Sequence, residues 1–467
     1  MQLESLIDVR NDLGNISLGD IRLNRRCQRI AEALQDNPTA SFTAALGDDA
    51  ATEGLYRFLG NSKVEWQRVL DEHRDASWDR AIAMEGHVLA IHDTTMCQFG
   101  GESIRQGAFR TSKGKSGYLA HTCLAVSADG SRQPLGVVGM LPVVRLSVEQ
   151  SKDSPGLTYE NERQRWPDLV GIVEDEKPTD VDITHVMDSE GDAYDLLEFM
   201  VSQKFDYVVR LCKERRLLTH DGEVGLLKPS LKDATIQLTR SVALSARKSK
   251  KAPSNSTRTA ERDERSATLE IRTTTANILR PEGSKDYLSA LHLRIVHVIE
   301  PNPPKGEVPV EWILATSHPV DTPEQAAAVV DAYRARWLIE EWFKSLKSGC
   351  AYQKRQLGSL DTLLTAFSLL APIATRLLSI RWFARNEPDR PATDIISPAE
   401  LECLRLIEKR RKRPLPKHPT VREVLFAVAR MGGFLKQNKS PGWQTLGRGF
   451  EEFQTMFDMF QLMNGAK

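Results

Sequence analysis

Tyr333, Arg336, Glu340 and Lys347 stand at i, i+3, i+7 and i+14 in a stretch rich in helix formers. At about 100° per residue they fall within an arc of about 60°, so one helix stripe carries a phenol, two cations and a carboxylate. A hydrophobic core has no use for such a stripe, which must therefore face a site. Lys344 lies about 20° around the helix from Tyr333 and can join it. Glu341 lies about 100° away from Glu340, off the stripe, which makes Glu340 the better ligand.

Two aspartates upstream close short apolar runs. HVLAIHDTT predicts a buried strand, Val88 to Ile91, that delivers Asp93 at its C-terminal end. Tyr118 to Val126 and Leu135 to Val144 predict two more strands with a turn at Asp129-Gly130, and DITHVMD a fourth that ends on Asp188. A helix over Gly191 to Val201 and a strand over Asp206 to Leu211 follow. Asp182, Asp192 and Asp195 compete with Asp188, but Asp188 terminates the apolar strand, whereas Asp192 and Asp195 fall in the next helix. Strands followed by strand and helix alternation predict the α/β class with a ribonuclease H-like core. About 150 residues separate Asp188 from Glu340, too many for one crossover helix. A β-rich insertion at about 213–310 is expected there, because TIQLTRSVAL and ATLEIRTTTANIL alternate; Ala246 to Arg265 would be its basic hairpin tip. PNPPKG, Pro301 to Gly306, predicts a stiff turn before a strand beginning near Val310.

The flanks are helical. Ser17 to Leu34 predicts a helix with Leu23, Cys27, Ile30 and Leu34 as its apolar stripe, while Arg22, Arg25, Arg26 and Arg29 crowd the other faces, as either a solvated surface or a DNA-backbone contact. GLYRFLGN is a second helical segment with a stop at Gly60-Asn61. Leu363 to Arg385 is one helical segment, SPAE at Ser397 to Glu400 a capped helix start, and KRRKR at Lys409 to Arg413 a run of cations. Phe450, Phe453, Phe457 and Phe460 recur at helical spacing, for core packing or a partner helix. The expected domains are 1–75, helical and DNA-binding; 76–365, catalytic with its insertion; and 366–467, helical.

Carboxylates on three separate elements are the minimal set for two divalent ions about 3.5–4 Å apart, which activate a nucleophilic oxygen and stabilise a leaving one. Oxygen ligands with no competing His/Cys cluster select Mg²⁺, with Mn²⁺ able to substitute. Arg336 suits phosphate through a bidentate fork and Lys347 as a point charge. The chemistry such a set suits is phosphodiester cleavage and transfer. With 63 basic and 63 acidic residues the net charge is zero, so any DNA contact must come from local patches. KGKS at Lys113 to Ser116 is not a phosphate loop, since Phe109 stands where its first glycine belongs, and no ATP is expected. Arg110 to Lys115 reads instead as a flexible DNA-facing loop. The six cysteines show no CxxC and read as reduced thiols. MQLESLIDVRND has no signal-peptide pattern, and Leu363 to Thr375 is too short to span a bilayer, so no membrane partner and a cytoplasmic, nucleoid-associated location in a bacterium are expected.

LGDIRL, EGLYRFLGN, AIHDTT, MDSEGDAYD, VEWILATSHPV and YRARWLIEEWFKSLKSG together resemble the DDE transposases of the insertion-sequence-four family, in the cut-and-paste group typified by the Tn-five transposase. The last block holds that family's Y-(2)-R-(3)-E-(6)-K signature at Tyr333, Arg336, Glu340 and Lys347. The resemblance implies an N-terminal domain that grips transposon ends, a ribonuclease H-like core with a β-rich insertion, and a C-terminal dimerisation domain. It implies Asp93, Asp188 and Glu340 as ligands of two Mg²⁺ ions, Arg210 as a DNA contact, and Trp312 as an indole stacking on a flipped base, with Trp337 as a second aromatic for that task. It also implies double-stranded terminal repeats and target DNA as partners of a homodimer. The family commonly has D-R-E-x-D at the second aspartate; here Ser189 replaces the Arg. Two rivals stay open: a nuclease that cuts without joining, and an inactive end-binding relative.

Overall fold

A computed structural model describes residues 8–84, 86–101, 103–147, 154–244, 263–284, 286–435 and 440–465. It is a mixed α/β architecture with N-terminal helices, central mixed β-structure and C-terminal helices. Among the described residues, five α-helices come first: α1 (Val9–Asp12), α2 (Ile21–Asp36), α3 (Phe42–Leu46), α4 (Asp49–Leu59) and α5 (Trp66–Ile82). Strands β1 (His87–Phe99), β2 (Phe109–Arg110), β3 (Ser116–Ser127) and β4 (Pro134–Val143) follow, then α6 (Arg165–Glu176), β5 (Asp182–Met187), α7 (Tyr194–Gln203) and β6 (Asp206–Leu211). The next stretch holds β7 (Arg216–Leu218), β8 (Val224–Leu226), α8 (Leu227–Ser230), β9 (Thr235–Leu244), β10 (Arg265–Leu279), β11 (Ala290–Ile299) and β12 (Glu311–Thr316). Helices α9 (Pro323–Ala335), α10 (Trp337–Lys344), α11 (Leu360–Asn386), α12 (Pro398–Arg410), α13 (Val421–Met431) and α14 (Trp443–Gly465) complete the chain.

The chain divides into two compact units. The first comprises the chain up to Val88, Asp93–Asp182 and Trp337 onward; the second comprises Leu89–His92 and Ile183–Arg336. In the first unit, β4 pairs antiparallel with β3, and α5 and α11 pack on β4. Gly136 in β4 makes that approach possible, because a Cβ there would meet the Ser77 Oγ of α5 at 1.9 Å. The apolar stretch from Leu363 belongs to α11, which is long and apolar enough to cross a membrane, yet 94% of its most apolar window is buried inside the protein. It is the core helix of this unit.

C-terminal to it, Ser397 caps α12 in a capping box with Glu400, with Pro398 in the first turn, as SPAE predicts. Phe453 and Phe457 are buried with Leu404, Val424 and Val428, and Phe450 and Phe460 pack against the same cluster. The phenylalanine face is therefore spent on the chain's own core and does not form a free partner-binding stripe. Gly449 lets α13 and α14 come together, since a Cβ would lie 2.1 Å from the Val428 carbonyl oxygen.

In the second unit the strand order is β1-β5-β6-β12-β11-β10-β7-β8, with β9 also on β10. β5 and β6 are parallel, Val186 opposite Val208; β6 through β10 pair antiparallel, as the alternating segments predict. The expected basic tip over Ala246 to Arg265 lies, but for its last three residues, outside the described residues.

Several local expectations are corrected. β1 does not stop after Ile91; it continues to Phe99, so Asp93 sits mid-strand where full burial gives way to half-exposure. Thr94 and Thr95 favour extended backbone and carry the strand on. α2 begins at Ile21, with Asp20 as its N-cap accepting from the Arg22 N–H. α7 begins at Tyr194, leaving Asp192 outside the helix. The stripe-bearing segment is not one regular α-helix: α9 ends at Ala335, Arg336 is its C-cap at φ −47°, ψ −34°, and Ser345–Gly349 is a π-helical turn. Lys347 thus falls off the 100° ladder used to place it.

Candidate active site

In the first unit, Asp93 is half-buried and its Oδ1 accepts the Thr94 main-chain N–H at 2.7 Å. Lys347, in the π-turn, donates through Nζ to Thr95 Oγ1 at 2.5 Å and to the Met96 carbonyl at 2.9 Å. Burial pushes the Lys347 ammonium below its usual range, against the opposing pull of Cys97 and Asp93. The π-turn therefore brings a cation to the strand immediately after Asp93. Tyr118 and Tyr352, both buried, share a 2.7 Å hydrogen bond behind it.

Glu340 and Glu341 diverge on α10. Glu341 pairs with Arg381 of α11 and with Lys344, each at 3.2 Å, and is committed to the fold. Glu340 is half-buried on the neighbouring face. Lys344 also lies 4.9 Å from the ring of the exposed Trp337, so these two share one cation–π contact.

In the second unit, Asp188 follows β5, half-buried, and its Oδ1 accepts the Glu190 N–H at 2.8 Å. Asp192 is fully buried: its Oδ2 accepts the N–H groups of Cys212 and Lys213, each at 2.7 Å, and Arg215 pairs with its Oδ1. Its carboxylate fastens the end of β6 and is saturated. Asp182 opens β5, exposed, and Asp195 lies in α7.

Tyr333 is buried, and burial raises its phenol above the usual range, opposed by Arg210 and Arg336 and a hydrogen bond from Arg210. Trp312, at the start of β12, meets the Tyr333 ring edge-on, 5.2 Å between centroids at 65°. β12 pairs with β6, Leu314 opposite Arg210, so the sheet register brings Arg210, Trp312 and Tyr333 together. Their separation in sequence hid this grouping. The second unit thus gathers an indole, a phenol and two guanidinium groups, while Glu340, Lys344, Lys347 and Trp337 belong to the first.

Arg22, Arg25, Arg26 and Arg29 are all exposed on α2, whose Cys27, Ile30 and Leu34 are buried. Arg26 also donates to the Gly54 carbonyl of α4 at 3.3 Å. Arg110 to Lys115 is a tight turn between β2 and β3, closed by the Thr111 N–H on the Lys115 carbonyl at 2.8 Å, so it is less free than expected. Sequence reading missed Thr94, His121 and Arg165, which cluster beside Asp93 and come from β1, β3 and α6. No local pattern connects positions so far apart.

Among the described residues, no group of three or more His, Cys, Asp or Glu side chains is arranged as a metal cage. By donor chemistry, Asp93, Asp188 and Glu340 are hard oxygen ligands that suit Mg²⁺ or Mn²⁺. All six cysteines are free, and five are buried.

Two family profiles match in order along the chain. A transposase DNA-binding profile covers residues 9–64, which contain α2 with its arginines, and a transposase DDE domain profile covers residues 85–374, more than half of the chain. DDE transposases generally use divalent metal ions, cut DNA and transfer its strands. The chain belongs to this family: it is a DNA-binding DDE transposase of the insertion-sequence-four and Tn-five type.

Proposed function

We propose that the enzyme moves its element by cut and paste, with a hairpin intermediate. A water attacks the phosphodiester at each element end and leaves a 3′-OH. That hydroxyl attacks the opposite strand, which closes a hairpin and frees the flanking DNA. A second water opens the hairpin, and the 3′-OH groups then attack two phosphodiesters of target DNA. Asp93, Asp188 and Glu340 hold the divalent ions, on a ribonuclease H-like core. Bound there, two ions would activate the attacking oxygen and stabilise the leaving one. The observation that carries this assignment is the division of labour between neighbouring carboxylates. Asp192 is held by Arg215 and the Cys212 and Lys213 N–H groups, and Glu341 is paired with Arg381 and Lys344, while Asp188 ends the apolar run of β5 and Glu340 lies on the neighbouring face of α10, both half-buried.

Tyr333, Arg336, Lys347 and Lys344 orient phosphates, and Arg210 supports Tyr333. Trp312 receives the base displaced as the hairpin closes, held edge-on by Tyr333, with Trp337 as the second stacking surface. Arg22, Arg25, Arg26 and Arg29 grip the terminal repeat. Two ends must be joined in one complex, so the working form is a dimer. Because the phenylalanine face of α14 is internal, the pairing surface is its exposed end, Met459, Leu462 and Met463. The protein acts on DNA in the bacterial cytoplasm.

A duplex carrying the element's inverted repeat, incubated with purified protein and Mg²⁺, tests this on a denaturing gel. Nicks followed by a hairpin, both missing with Glu340→Ala, are expected. Cleavage by Glu340→Ala at the parental rate would overturn the ligand assignment. Nicks that never proceed to a hairpin would overturn the pathway.

A further inference from the structure

Asp93 is flanked by a hydrogen-bond chain that the family's chemistry does not require by itself. Arg165, 8% exposed on α6, donates from Nε to Thr94 Oγ1 at 3.2 Å and from Nη1 to the Glu162 carbonyl at 2.5 Å. A guanidinium can only donate, so the Thr94 hydroxyl accepts from it and directs its own hydrogen to His121 Nδ1, 2.9 Å away. His121 lies fully buried on β3, its ring 4.5 Å from that of Trp166. The Trp166 ring also lies 5.7 Å from the Arg165 guanidinium. The Thr94 N–H closes the circuit on Asp93 Oδ1. Side chains from α6 and β3 therefore hold Thr94, whose N–H in turn holds one carboxylate oxygen of the half-buried Asp93.

We propose that Arg165, Thr94 and His121 are positioning residues that aim the Asp93 carboxylate at the metal ion. The inference rests on the reading of Asp93 as a ligand. Partners that orient a ligand set its affinity, and losing one typically costs about 10–100-fold in metal binding or activity. Arg165 directs the hydroxyl hydrogen of Thr94, and Thr94 connects Arg165 to His121. Thr94→Val keeps the shape and removes the hydroxyl; Thr94→Ser keeps the hydroxyl.

The test is a Mn²⁺ titration of the full chain with its terminal-repeat duplex, followed by electron paramagnetic resonance, beside the Mg²⁺ dependence of nicking. Thr94→Val and Arg165→Met should each weaken Mn²⁺ binding and raise the Mg²⁺ needed for half-maximal nicking by about tenfold or more, and Thr94→Ser should restore both. Band shift of the duplex and the melting temperature identify a merely structural role. If binding of duplex, folding and nicking fall together and Thr94→Ser rescues none of them, the inference is wrong. It is also wrong if both variants titrate like the parent. A parent that binds no Mn²⁺ at all would remove the ligand reading itself, and the inference with it.

Discussion

Around Asp12, side chains close on the carboxylate until it is almost wholly buried. Arg80 reaches its two oxygens at 2.7 and 3.2 Å, and His73 Nδ1 lies 2.5 Å from Oδ2. His73 Nε2 accepts the Val137 N–H, and Arg80 Nε donates to the Leu135 carbonyl, so α1, α5 and β4 are tied through one network. Around Asp93 the same residue types, an arginine and a histidine, bind the neighbouring threonine instead, and the carboxylate stays half-exposed. The Asp12 carboxylate is enclosed by its own fold and serves stability, whereas at Asp93 the arginine and histidine bond to the adjacent threonine. The tryptophans repeat the contrast: Trp342 is fully buried and donates to Thr375 Oγ1 at 3.0 Å, whereas Trp312 is half-buried against Tyr333.

The comparison breaks most visibly if the two aspartates are exchanged in effect. Asp93→Asn should bring nicking below detection while leaving the urea midpoint within error of the parent. Asp12→Ala should do the reverse: removing one partner of a buried pair costs about 3–5 kcal/mol, read as a lower midpoint, with the remaining folded protein still nicking. A stable, inactive Asp12→Ala would reverse the two roles.

A smaller effect separates the carboxylates four residues apart. Asp192→Asn should destabilise by about 2–4 kcal/mol, because Arg215 loses its buried partner, whereas Asp188→Asn should cost activity and little stability. Equal urea midpoints for these two variants would contradict the distinction.

Trp312→Ala should lower hairpin yield by about tenfold without changing the first nick, the worth of one base stack. Trp342→Ala should instead lower stability by about 3–5 kcal/mol. Quantified hairpin and nick bands, with melting curves, decide between them.

A graded effect is expected in pH. Burial pushes the Asp12 carboxyl up, but Arg80 and His73 outweigh it and hold its pKa at about 2. The unfolded value is about 3.9, so its contribution of about 2–3 kcal/mol is complete above about pH 5 and fades as pH falls towards 2. The gap in urea midpoint between the parent and Asp12→Ala should therefore narrow on acidification over that range. A constant gap would mean that the pair is not held by charge.

Periodicity made much of this molecule legible. The apolar run DITHVM sets β5, and Asp188 follows it; SPAE caps α12; the stripe of Cys27, Ile30 and Leu34 turns α2 so that its arginines face outward. These are local rules of two- and 3.6-residue repeats. Other features were beyond them. The break at Arg336 and the π-turn over Ser345–Gly349 follow from no residue pattern nearby, yet the Lys347 bonds to Thr95 and Met96 show what that turn achieves. Extension of β1 past Asp93 likewise depends on threonines that lie beyond the apolar run by which the strand is recognised.

Sequence by itself determined which residues are the ones to examine: Asp93, Asp188, Glu340 and the cations spaced around them, all within the span that the DDE domain profile covers. Tertiary structure alone decided which carboxylates are committed to the fold. Asp192 needs Arg215, Cys212 and Lys213, Glu341 needs Arg381 from the next long helix, and Asp12 needs α5 to deliver His73 and Arg80. The physical reason is that a carboxylate's fate depends on which donors complete its shell and on how much water is excluded, and both are set by residues distant in sequence.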